Sequence, residues 1–211
     1  MKLDRVLKLS LALVTIFSFG FFLKDGGEGL KIGDKGPKFD LSMKATDGKE
    51  YTLDKLKDKN GVLVIFSCNT CPFVIGGKSF EGWQKDYRKI TRKAKEAGLG
   101  VVFVNSNEAK RDDGDSMEDM KRQFNEHKYE APYLYDENHL LADAFGAKTT
   151  PHIYIFNNND KLIYEGSIDN SWNPKVKKEE LYLMDALNSI IEGRKIKNSK
   201  TSPKGCSIKR I

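Results

Sequence analysis

Hydrophobic positions along the chain fall into two kinds of run. Val62–Phe66 and Leu99–Asn105 are unbroken apolar stretches of strand length. Such runs mark strands buried on both faces, as in a parallel sheet. Other segments repeat at three- and four-residue spacing. Phe73, Gly77, Phe80, Trp83, Tyr87, Ile90 and Ala94 share one helical face, so the pattern predicts a helix after Pro72 whose aromatics are core. Ser116, followed by Glu118 and Asp119, predicts a capped helix to about His127. Phe39–Met43, a strand near Tyr51–Leu53 and Tyr133–Tyr135 read as short strands, and Asp54–Asp58 as a helical turn. His139–Phe145 reads as a short helix ended by Gly146, and Glu179–Ile191 as a last helix ended by Gly193. Ile153–Phe156 and Lys161–Tyr164, joined by Asn157–Asp160, read as an antiparallel hairpin. Strands separated by helices need crossovers, so this order predicts an α/β fold with a central mixed sheet flanked by helices on both faces.

The ends of the chain differ from its middle. Lys2, Arg5 and Lys8 precede an uncharged stretch, Leu9–Leu23. Residues 1–23 therefore read as a signal peptide, with Ser18 and Gly20 as a cleavage pair, or as an uncleaved N-terminal membrane anchor. No cysteine lies near this segment, which argues against a lipoprotein anchor. Residues 24–36, rich in Gly, Lys and Asp, read as a linker, residues 37–193 as the domain, and 194–211 as a basic tail. Seven basic residues and no acidic one lie between Gly193 and Ile211, against a net charge of +6, which leaves −1 for the rest. This argues against a nucleic-acid-binding face. The tail reads as a solvated, flexible end, or alternatively as a contact for anionic lipid or an acidic partner. The location expected is outside the cytoplasm, periplasmic or extracytoplasmic, where disulfides persist.

With only three cysteines among 211 residues, a disulfide scaffold is excluded, and sulfur chemistry must be local. Cys68-Asn69-Thr70-Cys71-Pro72 lies where an apolar strand gives way to a helix. Two cysteines so placed can form a disulfide. Helix-start N–H groups and the helix dipole favour a thiolate, so the Cys68 pKa is expected to fall, Cys68 to attack and Cys71 to resolve. The other readings of the pair are a structural disulfide, a zinc site lacking its remaining ligands, and inert buried thiols. Thr149-Thr150-Pro151-His152 precedes a strand. Pro at a strand start is ordinary; the sharper reading is a cis Thr150–Pro151 bond facing the cysteines. Cys206 lies among Lys204, Lys209 and Arg210, and reads as a free thiol or a third redox partner. His152 is an auxiliary candidate, whereas His127 and His139 read as surface residues.

Together these elements resemble the thioredoxin-like superfamily. From about residue 31 to the C-terminus, the segments IGDKGPKFDL, VLVIFSCNTCPFV, TTPHIYIFN, YEGSIDN and GCSIK are similar to its redoxin branch, the peroxiredoxin-related AhpC/TSA-like proteins. The resemblance implies a thioredoxin-like fold and thiol–disulfide oxidoreductase activity on protein thiols or disulfides. It also implies an unidentified redox partner and no cofactor or resident metal. It makes Cys68 the nucleophile, Cys71 the resolving thiol and Pro151 the cis-proline. Thr150 would offer its backbone to a substrate strand, as in edge-strand addition. Ser67 and Thr70 stand where such proteins often carry Trp and Pro, and Val62 where thioredoxins bury an acid. The peroxiredoxin pattern P-x-x-x-[ST]-x-x-C fits neither cysteine, because its Pro and Ser/Thr positions hold Val64 and Cys68, or Gly61 and Ile65. A thiol peroxidase is thus the first alternative function, and a Cu(I)-binding module using Cys68, Cys71 and His152 the second.

Overall fold

The computed structural model describes residues 29–78 and 80–211. The N-terminal targeting segment lies outside the described residues. Among the described residues, no helix is long and apolar enough to cross a membrane.

The architecture is a mixed seven-stranded sheet with helices on both faces, as the alternation of apolar runs predicts. Its strands are β1 (Met43–Ala45), β2 (Glu50–Tyr51), β3 (Gly61–Ser67), β4 (Leu99–Asn105), β5 (Tyr133–Tyr135), β7 (His152–Phe156) and β8 (Leu162–Gly166), in the order β2-β1-β5-β4-β3-β7-β8. β3, β4 and β5 run parallel, while β7, antiparallel to β3, forms the expected hairpin with β8. A separate two-stranded ribbon, unforeseen from the sequence, joins β6 (Thr149–Thr150) to β9 (Cys206–Ser207).

Side-chain alternation sorts the central strands into two cores. Leu63, Ile65, Val101 and Phe103 face one side, beneath α3 (Tyr87–Glu96), α4 (Met117–Glu126) and α6 (Tyr182–Ile191). Val62, Val64, Phe66, Val102 and Val104 face the other, against α1 (Leu53–Leu56) and α5 (Leu140–Phe145). α4 begins with a capping box in which Ser116 and Asp119 satisfy each other's backbone. α5 ends at Gly146, with φ of 68°, as predicted.

Three expectations are corrected. The single helix after Pro72 is two helices, α2 (Pro72–Ile75) and α3, separated by a loop and a 3-10 turn at Trp83–Asp86. The break sits at Gly76 and Gly82, with φ of 96° and 78°, where a Cβ would strike backbone at 2.5 Å or closer. The aromatic spacing persists because Trp83 and Tyr87 still belong to the core. Residues 29–36 of the expected linker are packed against the domain: Gly33 donates to the Leu162 carbonyl, Leu162 donates to the Asp34 carbonyl, and Leu30 is buried. The basic tail is anchored to the fold instead of being a flexible end, although most of its basic side chains remain exposed. Thr201 and Ser199 bond the Glu165 backbone, Ile208 is buried beside α5, and Arg210 pairs with Asp143.

Candidate redox site

Cys68 follows the last residue of β3, and Cys71 is the N-cap of α2. Both are buried, Cys68 at 0% exposure and Cys71 at 3%. Thr150 touches both. Its hydroxyl lies 3.0 Å from the Cys68 Sγ, and its carbonyl accepts from the Cys71 thiol at 3.1 Å. The Thr150–Pro151 peptide is cis, as the sharper reading of that motif has it. Cys68, Cys71, Thr150 and Pro151 thus come together as a unit.

Cys206 joins them through a neighbour the sequence did not supply. β9 pairs with β6 so that Cys206 lies opposite Thr150, and the Cys206 N–H donates to the Cys71 Sγ at 3.4 Å. Gly205 permits this approach, since a Cβ there would stand 2.2 Å from the Thr150 carbonyl oxygen. The backbone edge expected to receive a substrate strand therefore carries the chain's own β9. Cys206 is part-buried, the most open of the three thiols. All three are free.

The electrostatics reverse the expected order of the cysteines. Burial is the main cause that pushes the Cys68 thiol up, and its hydrogen bond to Cys71 adds to this. Cys71 is lowered to about 5, first by the Cys68 thiol and further by the Cys206 side chain and N–H, against the cost of burial. Cys206 is raised to about 11 by burial and by its bond to Cys71. The physical reason is the donors around each sulfur. The Cys68 and Cys206 thiols and the Cys206 N–H converge on Cys71, with the Phe73 N–H of the helix start adding last, whereas Cys68 is left at a strand end among mostly apolar side chains. Cys71 is thus the most acidic of the three thiols, and in its protonated form it donates to the Thr150 carbonyl.

Under the Cys68–Cys71 loop lies a polar network that sequence reasoning missed. The buried Asp115 carboxylate accepts from the Asn69 N–H at 2.7 Å and the Thr70 hydroxyl at 2.9 Å. It also accepts from the side-chain amides of Asn105 at 2.7 Å and Asn107 at 3.0 Å. Asn69 in turn donates to the Gly114 carbonyl and accepts from the Tyr133 hydroxyl. Arg111 ties the ends of β4 and β5 together through the carbonyls of Asn105 and Asp136, with its guanidinium 3.7 Å over the Tyr135 ring. Both intervening residues of the dithiol loop are thereby fixed by one acid. β3 itself carries no acid, since Val62 is an ordinary core residue. The signal available in the sequence was topological: Asn105 ends one parallel strand and Cys68 and Asp136 follow two others, at the carboxyl ends where α/β sheets gather their sites.

His152 is buried away from the thiols. Its Nδ1 accepts from the Lys148 N–H and faces the Tyr154 hydroxyl, both at 3.2 Å, and its Nε2 lies 3.4 Å from Glu165. Burial keeps its pKa below the usual value. Its contacts give it no part in a Cys68–Cys71 centre. Among the described residues, no three or more His, Cys, Asp or Glu side chains are grouped to hold a metal ion. His127 is exposed and His139 bonds Asp143.

Residues 31–182 match the Redoxin family. No curated protein matches the chain. Among solved structures, an uncharacterized conserved protein from Geobacillus kaustophilus is 32% identical, with a TM-score of 0.74 over 85% of this chain and 92% of its own. A hypothetical protein from Sinorhizobium meliloti is 26% identical, with a TM-score of 0.75 over 87% and 97%. The thioredoxin domain of a thiol-disulfide oxidoreductase from Bacteroides vulgatus shares the fold, at 17% identity and a TM-score of 0.54 over 77% and 99%.

Proposed function

The chain belongs to the Redoxin family, and from that premise we propose that it is a thiol–disulfide oxidoreductase acting through the Cys68–Cys71 dithiol on protein thiols or disulfides outside the cytoplasm. The observation that carries this reading is the convergence of both sulfurs on Thr150 of the cis-proline loop, with Cys71 at the start of a helix. A thiolate is the nucleophile in disulfide exchange. Cys71 is the most acidic of the three thiols, so on losing the proton it shares with the Thr150 carbonyl it attacks the substrate disulfide and forms the mixed disulfide. Cys68, whose thiol is directed to the Cys71 sulfur, then attacks that sulfur, releases the substrate thiol and closes the Cys68–Cys71 bond. The attacking and resolving roles are the reverse of those the family resemblance implies. Thr150 and Pro151 contact the substrate beside β9, which already occupies the β6 edge. The basic N-terminal segment with its uncharged core supports export, either cleaved or as a membrane tether.

The test is exchange with a protein disulfide substrate. Cys71→Ser is expected to abolish turnover and form no mixed disulfide. Cys68→Ser/Cys206→Ser is expected to abolish turnover while trapping substrate on Cys71. Substrate trapped on Cys68 in Cys71→Ser, with none on Cys71 in Cys68→Ser/Cys206→Ser, would restore the opposite order. Wild-type turnover in both variants would remove the dithiol from the function.

A further inference from the structure

We propose that Cys206 is a second resolving thiol for Cys71, so that one sulfur serves two alternative disulfides, Cys68–Cys71 and Cys71–Cys206. The proposal rests on the reading of Cys71 as the attacking thiolate.

Four observations place Cys206 for this role. Its N–H is bonded to the Cys71 Sγ at 3.4 Å, so the Cα from which its side chain leaves is one bond from an atom touching the target sulfur. Its strand is paired to Thr150, the residue that also holds Cys68 and Cys71. Gly205 lies so close to the Thr150 carbonyl that only glycine fits, which seats the next residue over the site. The segment is anchored on both sides: the Lys204 ammonium sits 4.2 Å over the Trp172 ring, the Lys209 N–H bonds Asn107 at 2.9 Å, and Ile208 is buried. A tail serving only as a spacer needs none of these contacts. Cys206 also lies on the open side of a pair that is otherwise closed to solvent.

The chemistry balances without a further reactant. The Cys71 thiolate attacks a disulfide RSSR′, forming Cys71–S–S–R and releasing R′S⁻. The Cys206 sulfur attacks Cys71, forming Cys71–S–S–Cys206; R leaves as RS⁻ and takes the proton that Cys206 gives up. The two electrons that reduce RSSR′ come from the Cys71 and Cys206 thiols. Cys68 then attacks Cys71, closing Cys68–Cys71 and returning Cys206 to a thiol. While the Cys71–Cys206 bond lasts, β9 is covalently locked over the β6 edge. The more open thiol thus resolves first, and the oxidation is then stored in the buried pair.

The experiment uses the reduced full chain and a chromogenic aromatic disulfide, 5,5′-dithiobis(2-nitrobenzoate), in equimolar amount. In Cys68→Ser, loading of Cys71 releases one thionitrobenzoate, and displacement by Cys206 releases a second. Expected is a second release about tenfold or more faster than in Cys68→Ser/Cys206→Ser, because the attacking thiol is already held in place. Peptide mapping is expected to find an intramolecular Cys71–Cys206 link. Equal second-release rates, or an adduct that stays on Cys71 while Cys206 alkylates, would overturn the proposal. Wild-type protein oxidised with glutathione disulfide and trapped by alkylation gives an independent reading that needs no variant. A Cys71–Cys206 linked peptide that precedes Cys68–Cys71 supports the inference. Cys68–Cys71 forming without it sinks the inference alone, whereas no disulfide at Cys71 under any condition sinks the exchange reading as well.

Discussion

Asp115 offers the most direct test of how the dithiol loop is held. Its carboxylate is fully buried and accepts from four donors. Asp115→Ala removes the acceptor and leaves the donors. The Thr70 side chain is exposed, so its hydroxyl turns to water at little cost. The Asn69 N–H and the amides of Asn105 and Asn107 have no such outlet. An unpaired buried donor costs about 1–3 kcal/mol, so three at the lower bound predict a loss of roughly 3 kcal/mol. Asp115→Asn keeps one oxygen and turns an NH₂ toward the remaining donors, for a loss of roughly 1–2 kcal/mol. Urea unfolding of the reduced protein measures both. Amide exchange at Asn69 adds a local readout, because its N–H bond to Asp115 is the one that fixes the loop. The expected order is wild type, then Asn, then Ala, with Asn69 exchange accelerating in the same order. A loss below about 1 kcal/mol in Asp115→Ala, with Asn69 still protected, would refute the assignment of loop positioning to this acid.

Two other perturbations follow from the same geometry. Gly205→Ala places a Cβ 2.2 Å from the Thr150 carbonyl oxygen, so β9 must move; the cost expected is about 1–3 kcal/mol, with faster maleimide labelling of Cys206 in the reduced protein, and unchanged labelling and stability would show that the contact relaxes without lifting the strand. The pH dependence of the reduced state has a definite sign. With Cys71 at about 5 in the fold and near ~8.5 when unfolded, the unfolded chain binds the extra proton between those values. Stability from this group therefore rises with pH across that window, by at most about 1.4 kcal/mol per unit, and is lost as pH falls through the folded value. Cys68 and Cys206 are raised, so their contributions hold below the unfolded value and decline above it. The difference between wild type and Cys71→Ser, measured by urea unfolding from pH 5 to 9, is expected to widen with pH in wild type's favour, and a flat difference would contradict the thiolate assignment.

The parallel core was legible because nothing competes with an unbroken apolar run: Leu99–Asn105 and Tyr133–Tyr135 are β4 and β5 to the residue. Thr150-Pro151 and the cysteine pair were legible because strand-to-helix and Pro-to-strand junctions carry local signatures. The helix after Pro72 was overextended because side-chain spacing reports burial, and Gly76 and Gly82 report backbone conformation only through their φ angles. Ribbon β6–β9 was invisible because its two-residue strands are fixed by a contact between residues 150 and 206, which no local pattern encodes. The same non-local contact adds to what lowers Cys71, after the Cys68 thiol. Sequence placed the helix dipole beside Cys68, but the N–H that reaches a sulfur comes from Cys206 and reaches Cys71. Charge alone likewise misread the tail, whose Thr201, Gly205 and Ile208 matter more to its course than its lysines.

The central claim is that Cys68 and Cys71 form a reversible two-electron couple. Titration of the protein in glutathione buffers, with Cys68, Cys71 and Cys206 each replaced by serine in turn, measures it most directly. The account predicts a couple that disappears in Cys71→Ser and persists at Cys68–Cys71 in Cys206→Ser. Its potential then states whether the protein reduces or oxidises its partners. A wild-type protein with no reversible couple, or one whose couple survives Cys71→Ser, would contradict it.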